Sequence, residues 1–305
     1  MAGKTTSFIS LRRITTISSH TFTQLVRMKV FYLLSVFAVL LIGVQMVEMP
    51  YSVSGVSNMN QDLRLLKSAG FFAMNTFAFI LALSATALLL PKDIEDRTLY
   101  TILCKPVPRL DYLLGKLGGV LCLILVSLLV MDGLFSAILH FKVEGIVAET
   151  QSMLGARGLS AAVIERQSEE IYSQGVTWNL QIGVLAVFLK AAVIASIAML
   201  VSTFSTSTIF TIIITVIVAL IGTIQADARE YFMRQEDLGI ITPMSEVTRW
   251  VALLFPDFQL LGVEDGVIDG KQVPSTILGR VCWVAFLYCA VYTVLSWFVF
   301  RRKEV

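Results

Sequence analysis

The sequence is poor in charged residues, which make up 15% of its 305 positions, whereas apolar residues make up 56%. Soluble domains carry about 25% charged residues, and a mean hydropathy of +0.78 is typical of a chain solvated by lipid. The formal net charge is only +2, and no basic run is interleaved with aromatic residues. We therefore expect a chain embedded in the lipid bilayer and no nucleic-acid partner.

Histidine is nearly absent, since His20 and His140 are the only two in the chain. A zinc site of the His-Glu-x-x-His type is therefore excluded. No Gly-x-Ser-x-Gly nucleophile elbow occurs. The segment 266–271 is one residue too short for a phosphate-binding loop, and Gln272 follows it where Ser or Thr is needed. We expect a chain without catalytic activity, bound cofactor or metal site of its own.

The four cysteines form no paired framework. Three of them fall in long apolar runs, and the fourth falls in a polar connection. Their spacing suits neither a metal site nor disulfide bonds. We expect all four to be small apolar packing residues; they are Cys104, Cys122, Cys282 and Cys289.

Long apolar runs are what the sequence has in abundance. Six of them approach or reach the roughly 20 residues that span the hydrocarbon core of a bilayer. They lie at 30–47, 71–90, 117–139, 176–201, 208–224 and 281–300. The sequence therefore predicts an all-α integral membrane fold with six transmembrane helices in a domain at 30–305. Only 202–207 separates the fourth run from the fifth, which predicts a tight helical hairpin.

Residues 1–29 form a separate N-terminal segment in this prediction. Within it, 8–28 has an apolar stripe at helical spacing and a basic face opposite. That pattern is typical of an amphipathic helix in the inner membrane interface. A helix that packs on a soluble domain is the alternative.

Lysine and arginine predict the orientation of the spans, because they are enriched in cytoplasmic segments. With the N-terminus in the cytoplasm, 91–112 becomes a short cytoplasmic loop with balanced charges. The longer segments at 140–175 and 226–276 become outer loops that contain many acidic residues. Six spans put both termini on one side, and the basic residues at 301–303 agree with that side being the cytoplasm.

Both outer loops are long enough to contain helices. The segment 140–175 mixes apolar and charged residues, which predicts one or two short helices. In the second loop, 245–256 predicts an interfacial helix that Ser245 caps and Pro256 ends. Asp265-Gly266 and Asp269-Gly270 predict turns.

The cytoplasmic loop is the most informative segment. It predicts a short helix at 93–103, followed by the stiff Pro106-Val107-Pro108 turn. A solvated connector does not need the apolar residues that this helix carries, so they indicate a surface for a partner protein. A helix that only packs beneath the membrane domain is the alternative. The predicted docking residues are Glu95, Asp96, Arg97, Leu99, Tyr100 and Leu103.

This loop resembles that of permease subunits of ATP-binding-cassette (ABC) transporters of the second exporter type, in the copper-processing and multidrug-like branch. The resemblance lies in the acidic pair Glu95-Asp96, the run 97–100, the turn 105–109, and Gly115-Lys116 at the start of the third span. The N-terminal helix and the Ser/Thr-rich hairpin at 202–207 agree with it in layout. The long loop at 140–175 departs from the simplest pattern of the family.

The resemblance implies a non-catalytic permease that forms the translocation path of an exporter in the plasma (bacterial inner) membrane. It implies two copies of a separate ATPase subunit, which binds ATP and magnesium. It also implies a second permease, either another copy of this chain or a related one.

Two charged residues lie well inside predicted spans, Asp132 and Lys190. The first alternative is an interhelical ion pair or a shared polar cavity between them. The second is a Lys190 that reaches water or a carbonyl group alone, and the third is contact with a substrate. Intramembrane charges also occur in ion-coupled secondary transporters, which form the second class of function considered. A membrane anchor or assembly subunit of a larger complex is the third.

The predicted topology can be tested by labelling single cysteines in a chain whose native cysteines are replaced by serine. Ser152→Cys should react with a membrane-impermeant maleimide added outside intact cells, since 140–175 is predicted to lie outside. Thr98→Cys should react only after the membrane is permeabilised. The reverse pattern of labelling contradicts the topology.

Overall fold

A computed structural model describes residues 10–44, 56–95, 108–156, 160–205, 207–237 and 255–302. The regular structure in these ranges is helical, and they contain no strand. In chain order the helices are α1 (Leu11–Val26), α2 (Lys29–Gly43), α3 (Val56–Glu95), α4 (Arg109–Ala156), α5 (Ala161–Ser173), α6 (Trp178–Phe204), α7 (Thr208–Asp237), α8 (Glu264–Ile268) and α9 (Ser275–Arg302).

Five of these helices contain stretches long and apolar enough to cross a membrane, namely α3, α4, α6, α7 and α9. They coincide with five of the six predicted runs, so the all-helical membrane fold is confirmed at that level. The first run overlaps α2, which begins one residue before it and is 15 residues long. The apolar part of α2 is Leu34–Gly43. Residues 45–47, which complete that run, lie outside the described residues.

Helix α6 lies at the centre of the bundle and contacts α3, α4, α7 and α9. Small residues allow these close approaches. A Cβ atom added to Gly183 of α6 would lie 2.5 Å from the ring of Phe71 in α3, and one added to Gly70 of α3 would overlap the ring of Phe135 in α4. Since lipid supplies little hydrophobic driving force, such van der Waals packing is what holds membrane helices together.

Helix α7 lies at the periphery of the bundle. Only 28% of its apolar stretch is buried within the chain, against 61% for that of α3. Its exposed residues follow one helical face at intervals of three or four positions, as a lipid-facing stripe does. They include Ile209, Ile213, Ile217, Leu220 and Ile224, and Phe210 beside Ile209 is exposed as well.

Helix α4 is longer than its predicted span at 117–139. It has 48 residues, which makes it about 72 Å long at 1.5 Å per residue, more than twice the thickness of the hydrocarbon core. Residues 140–156, predicted as part of a loop, continue the helix because their apolar residues keep helical spacing and pack against α5. Val143, Val147, Leu154 and the α5 residue Ile171 are buried there.

Two further predictions, both about the outer loop at 226–276, can be compared with only part of that segment. Helix α7 continues to Asp237, so the first part of the predicted outer loop 226–276 is also helical. The interfacial helix predicted at 245–256 falls mainly on residues 238–254, which lie outside the described residues.

Helix α1 lies within the predicted range 8–28 and packs closely on the start of α4. Added Cβ atoms at Gly115 and Gly119 would lie 2.6 Å from the Cβ atoms of Ile17 and Thr21. Glycines four residues apart share one face of a helix, which lets two backbones approach each other. Thr21 and Leu25 of α1 are buried as a result.

Two Gly→Ala substitutions in α4 should therefore have opposite effects. Gly119→Ala places a methyl group against Thr21 and should lower the free energy of unfolding by about 1–3 kcal/mol, the usual cost of overpacking. Gly133→Ala is the matched control, since nothing lies within 4 Å of its added Cβ. The control should be neutral or stabilising by up to about 1 kcal/mol, because alanine favours helix. Thermal unfolding of the purified protein in detergent measures both, and equal effects would contradict the packing of α1.

Candidate functional site

The first of the predicted docking residues, Glu95, is the last residue of α3. Helix α3 continues to Glu95, so Asp93 is not the start of a separate helix as predicted, but part of the span helix itself. Residues 96–107 lie outside the described residues, and with them Asp96, Arg97, Leu99, Tyr100 and Leu103. The described chain resumes at Pro108, at the exit of the loop.

Arg109 fastens this exit to the end of α9. Its Nη1 donates hydrogen bonds to the carbonyl oxygens of Phe300, at 2.7 Å, and Arg301, at 2.9 Å. The last carbonyl groups of a helix have no partner within the helix and carry the negative end of its dipole, so a guanidinium group is well suited to that position. The guanidinium carbon also lies 5.6 Å from the centre of the Phe300 ring.

Asp111 fastens the same exit to α1. Its side chain is fully buried, and its Oδ2 lies 3.0 Å from Nε of Arg13, which is 30% exposed. The backbone N–H of Ser10, at the start of α1, donates to the same oxygen at 3.4 Å. A buried carboxylate needs such partners because loss of water around its charge is costly.

Aromatic rings complete the connection. The ring of Tyr112 stacks on that of Phe300 with centroids 6.1 Å apart, and Lys116 lies 5.8 Å from the Tyr112 ring centre. We call this group the loop-exit cluster; its members are Arg13, Arg109, Asp111, Tyr112 and Phe300. It joins the start of α1, the start of α4 and the end of α9 at the point where the described chain resumes after the loop. Sequence reasoning missed it, although Asp111 is an acidic residue at the start of an apolar helix.

A second site lies towards the opposite end of the bundle, where residues 255–274 pack among the helices. We call them the inserted segment. Leu261 and Val267 are buried, the N–H of Phe258 donates to the carbonyl oxygen of Gly222 at 3.5 Å, and Nε2 of Gln225 donates to that of Phe255 at 3.1 Å. The prediction of an outer loop at 226–276 did not include these contacts with the helices.

Hydrogen bonds from α6 also hold the C-terminal end of the inserted segment. Asn179 of α6 donates from Nδ2 to the carbonyl oxygen of Lys271 at 2.9 Å and accepts from the N–H of Val273 at 3.2 Å. The predicted turn at Asp269-Gly270 is present, with a φ of +76° at the glycine. The other predicted turn, at Asp265-Gly266, is wrong because these residues belong to α8.

Lys190 forms an ion pair with Glu264 of the inserted segment. Lys190 lies about 18 Å along α6 from Trp178 at 1.5 Å per residue, so the inserted segment reaches almost half-way down the helix. The two side chains are only 14% and 13% exposed. Gly262 lies beside the pair, since an added Cβ there would lie 3.6 Å from the lysine Nζ, an ordinary van der Waals contact.

The alternative of an ion pair between Asp132 and Lys190 is therefore not what the structure contains. Asp132 is buried in α4 and accepts a hydrogen bond from Oγ of Ser136, one turn away, at 3.4 Å. Two residues at a similar depth in two different helices need not point towards each other. Sequence reasoning missed Glu264 because it lies in a segment assigned to an outer loop.

Asp269 adds a weaker tie at the exposed end of the inserted segment. Hydrogen bonds from Arg64 of α3 and from Lys271 hold the pKa of the Asp269 carboxyl below its usual value. A lowered pKa contributes stability above the ordinary pKa of the group, and this contribution is lost as the pH falls through the lowered value. Both partners are exposed, so water weakens the tie.

Among the described residues, no group of three or more His, Cys, Asp or Glu side chains lies close enough to hold a metal ion. The chain matches no protein-family model, and no curated protein is significantly similar to it. Any conclusion about function therefore depends on the chain itself.

The Lys190–Glu264 pair can be tested with a double-mutant cycle. Lys190→Met or Glu264→Leu alone leaves a charge buried without its partner, which costs about 3–5 kcal/mol. The double variant should recover most of that loss. Thermal unfolding of the purified protein in detergent is the measurement.

A matched cycle of Lys190→Met with Asp132→Leu is the control for this experiment. It should be additive, because Asp132 has no contact with Lys190. Additive effects in the first cycle, or strong coupling in the second, would contradict the assignment of the pair.

Proposed function

We propose that the chain is the permease subunit of an ATP-driven ABC exporter of the second type, which forms the translocation path and couples to a separate ATPase. In this proposal α2 and the residues after it form the first of six spans, and α1 lies at the inner interface. Both termini and the loop 91–112 are cytoplasmic, and the membrane is the plasma (bacterial inner) membrane. Two permeases, identical or related, assemble with two ATPase subunits that bind ATP and magnesium.

The observation that carries this proposal is the loop-exit cluster. A permease driven by a soluble ATPase needs a cytoplasmic element whose displacement moves membrane helices. Arg109 and Asp111 tie the exit of the loop at 91–112 to α9 and α1 at once. Force applied to the loop is therefore passed to three helices instead of being lost in a flexible connection.

The entry side of the loop supports the same function. Because α3 continues to Glu95, the proposed docking residues begin at the last residue of a span helix. Proline at 106 and 108 fixes φ at these two positions, which limits backbone rotation before Arg109. In this proposal Leu99, Tyr100 and Leu103 fill an apolar groove on the ATPase. Glu95, Asp96 and Arg97 fix the register of docking through charge pairs, which contribute more to specificity than to affinity.

Substitution of Leu99 and Tyr100 by aspartate should release the ATPase while the permease remains inserted and dimeric. Two buried carboxylates in an apolar groove would cost far more than the contact contributes. The measurement is co-purification of the ATPase with tagged permease from membranes, together with vanadate-sensitive ATPase activity of the complex.

Val163→Asp with Tyr172→Asp is the matched control for that variant, since both residues are exposed on α5. The control should retain the ATPase. If the complex and its stimulated activity survive the change at Leu99 and Tyr100, the docking assignment is wrong. If no ATPase co-purifies with the wild-type chain, the exporter proposal itself is wrong.

The Lys190–Glu264 pair favours ion-coupled transport as a second candidate, because ionisable groups inside a membrane often line ion pathways. Reconstituted vesicles separate the two candidates. Transport that stops when an ionophore collapses the ion gradient, and that continues with vanadate, would favour the second.

A further inference from the structure

Lys67 is a buried lysine near the start of α3, in the part of that helix that is apolar enough to cross a membrane. The residue is only 3% exposed. Among the described residues, no hydrogen bond or ion pair reaches its ammonium group. Charges inside proteins are almost always paired, because a buried charge without a partner is costly. Inside a membrane domain such a group is a candidate for binding a ligand of opposite charge.

The position of Lys67 on α3 places it beside the inserted segment. Arg64, three positions earlier, pairs with Asp269 of that segment. Phe71, four positions later, packs closely against Gly183 of α6. Residues at these spacings share one face of a helix. Lys67 therefore lies between a contact of α3 with the inserted segment and a contact of α3 with α6.

Positive charge exceeds negative charge around this part of the inserted segment. In the described ranges Asp269 is the carboxylate that pairs with both Arg64 and Lys271, and Lys67 adds a third positive charge. Asp265 of α8 is exposed and belongs to none of the ion pairs found there. Like charges three positions apart on a helix repel each other. An anion between Arg64 and Lys67 would remove that repulsion.

A buried hydrogen-bond acceptor lies against the same turn. Oε1 of Gln174 is buried and accepts no hydrogen bond among the described residues. Its side chain is close to the turn that follows α8, since an added Cβ at Gly270 would lie 3.9 Å from Cγ of Gln174. A cation and an acceptor without hydrogen-bond partners in the described chain thus lie near one turn. Such a combination fits a ligand that carries both a negative charge and an N–H or O–H donor.

We infer that Lys67, Arg64 and Gln174 form a binding site for a small carboxylate that also carries a hydrogen-bond donor. The carboxylate lies between Lys67 and Arg64, and the donor reaches Oε1 of Gln174. The class of anion follows from Asp269, whose own carboxylate already fits against Arg64. Because Lys67 is buried, the ligand enters when Asp269 moves away from Arg64, an exposed tie that water weakens.

Under the proposed function, on which this role depends, small carboxylates of this kind are the transported substrate. Binding itself needs neither the ATPase nor ATP, so it can be measured on the purified chain. Failure of the site therefore leaves the exporter proposal standing, and loss of the ATPase leaves the site testable.

Calorimetric titration of the purified chain in detergent, at constant ionic strength, tests the site. The probe is N-acetylglycine, which has a carboxylate and an N–H group, and N-acetylglycinamide is its neutral counterpart. The wild-type chain should bind the acid about tenfold more tightly than the amide, and Lys67→Met should remove that advantage, since a hydrogen bond to a charged group contributes about this much. Asp269→Asn should strengthen binding of the acid, because the ligand then no longer competes with Asp269 for Arg64.

Lys29→Met is the matched control, since Lys29 is exposed at the start of α2 and lies outside the site. It should leave binding unchanged. Without ligand, Lys67→Met should unfold at the same or a higher temperature than the wild type, because the variant removes a buried charge that has no partner in the described chain. A clear loss of thermal stability assigns Lys67 a structural role and overturns the inference.

The titrations can overturn the inference in three further ways. Equal binding of the acid and the amide contradicts a site that selects charge. Weaker binding of the acid by Asp269→Asn contradicts competition for Arg64. Binding of inorganic phosphate without binding of N-acetylglycine overturns the assignment to a carboxylate.

Discussion

Inside a bilayer every backbone N–H and C=O group must find its partner within the protein, since lipid offers none. The long helices meet this requirement by themselves. The inserted segment at 255–274 makes part of its hydrogen bonds within its own turns and α8, and it takes others from its neighbours. Gln225 and Asn179 supply them with side-chain amides, and the carbonyl group of Gly222 supplies another. These few polar groups decide where the segment lies.

Glycine residues leave the space in which helices, and the inserted segment, approach each other closely. Gly115 and Gly119 admit α1 against α4, Gly183 admits a phenyl ring of α3, and an added Cβ at Gly222 would lie 2.5 Å from the carbonyl oxygen of Pro256. Close contact matters more in lipid than in water because dispersion replaces the hydrophobic effect as the source of attraction. The non-spanning elements α1 and 255–274 are therefore seated against glycine faces of spanning helices.

The same two elements are each fixed by a buried carboxylate. Asp111 binds Arg13 of α1, and Glu264 of the inserted segment binds Lys190 of α6. Separation of either pair leaves a charge without its partner in an apolar setting, which costs more than the intact pair contributes. Such pairs fix position more than they add stability. Under the proposed function, the first pair keeps the loop exit rigid. The second pair holds the inserted segment in place on α6.

The sequence by itself determined that this is a membrane protein and located the five candidate spans. Apolar runs of bilayer length need no tertiary information to be recognised. It also placed α1 and the glycine turn at Gly270. Hydropathy could not show that α4 continues past its apolar run, since that part of the helix is stabilised by contact with α5. Nor could it pair Lys190 with Glu264, which lies 74 positions away. Only the tertiary structure decides which polar residues face each other, because that depends on helix rotation and on where an irregular segment folds back.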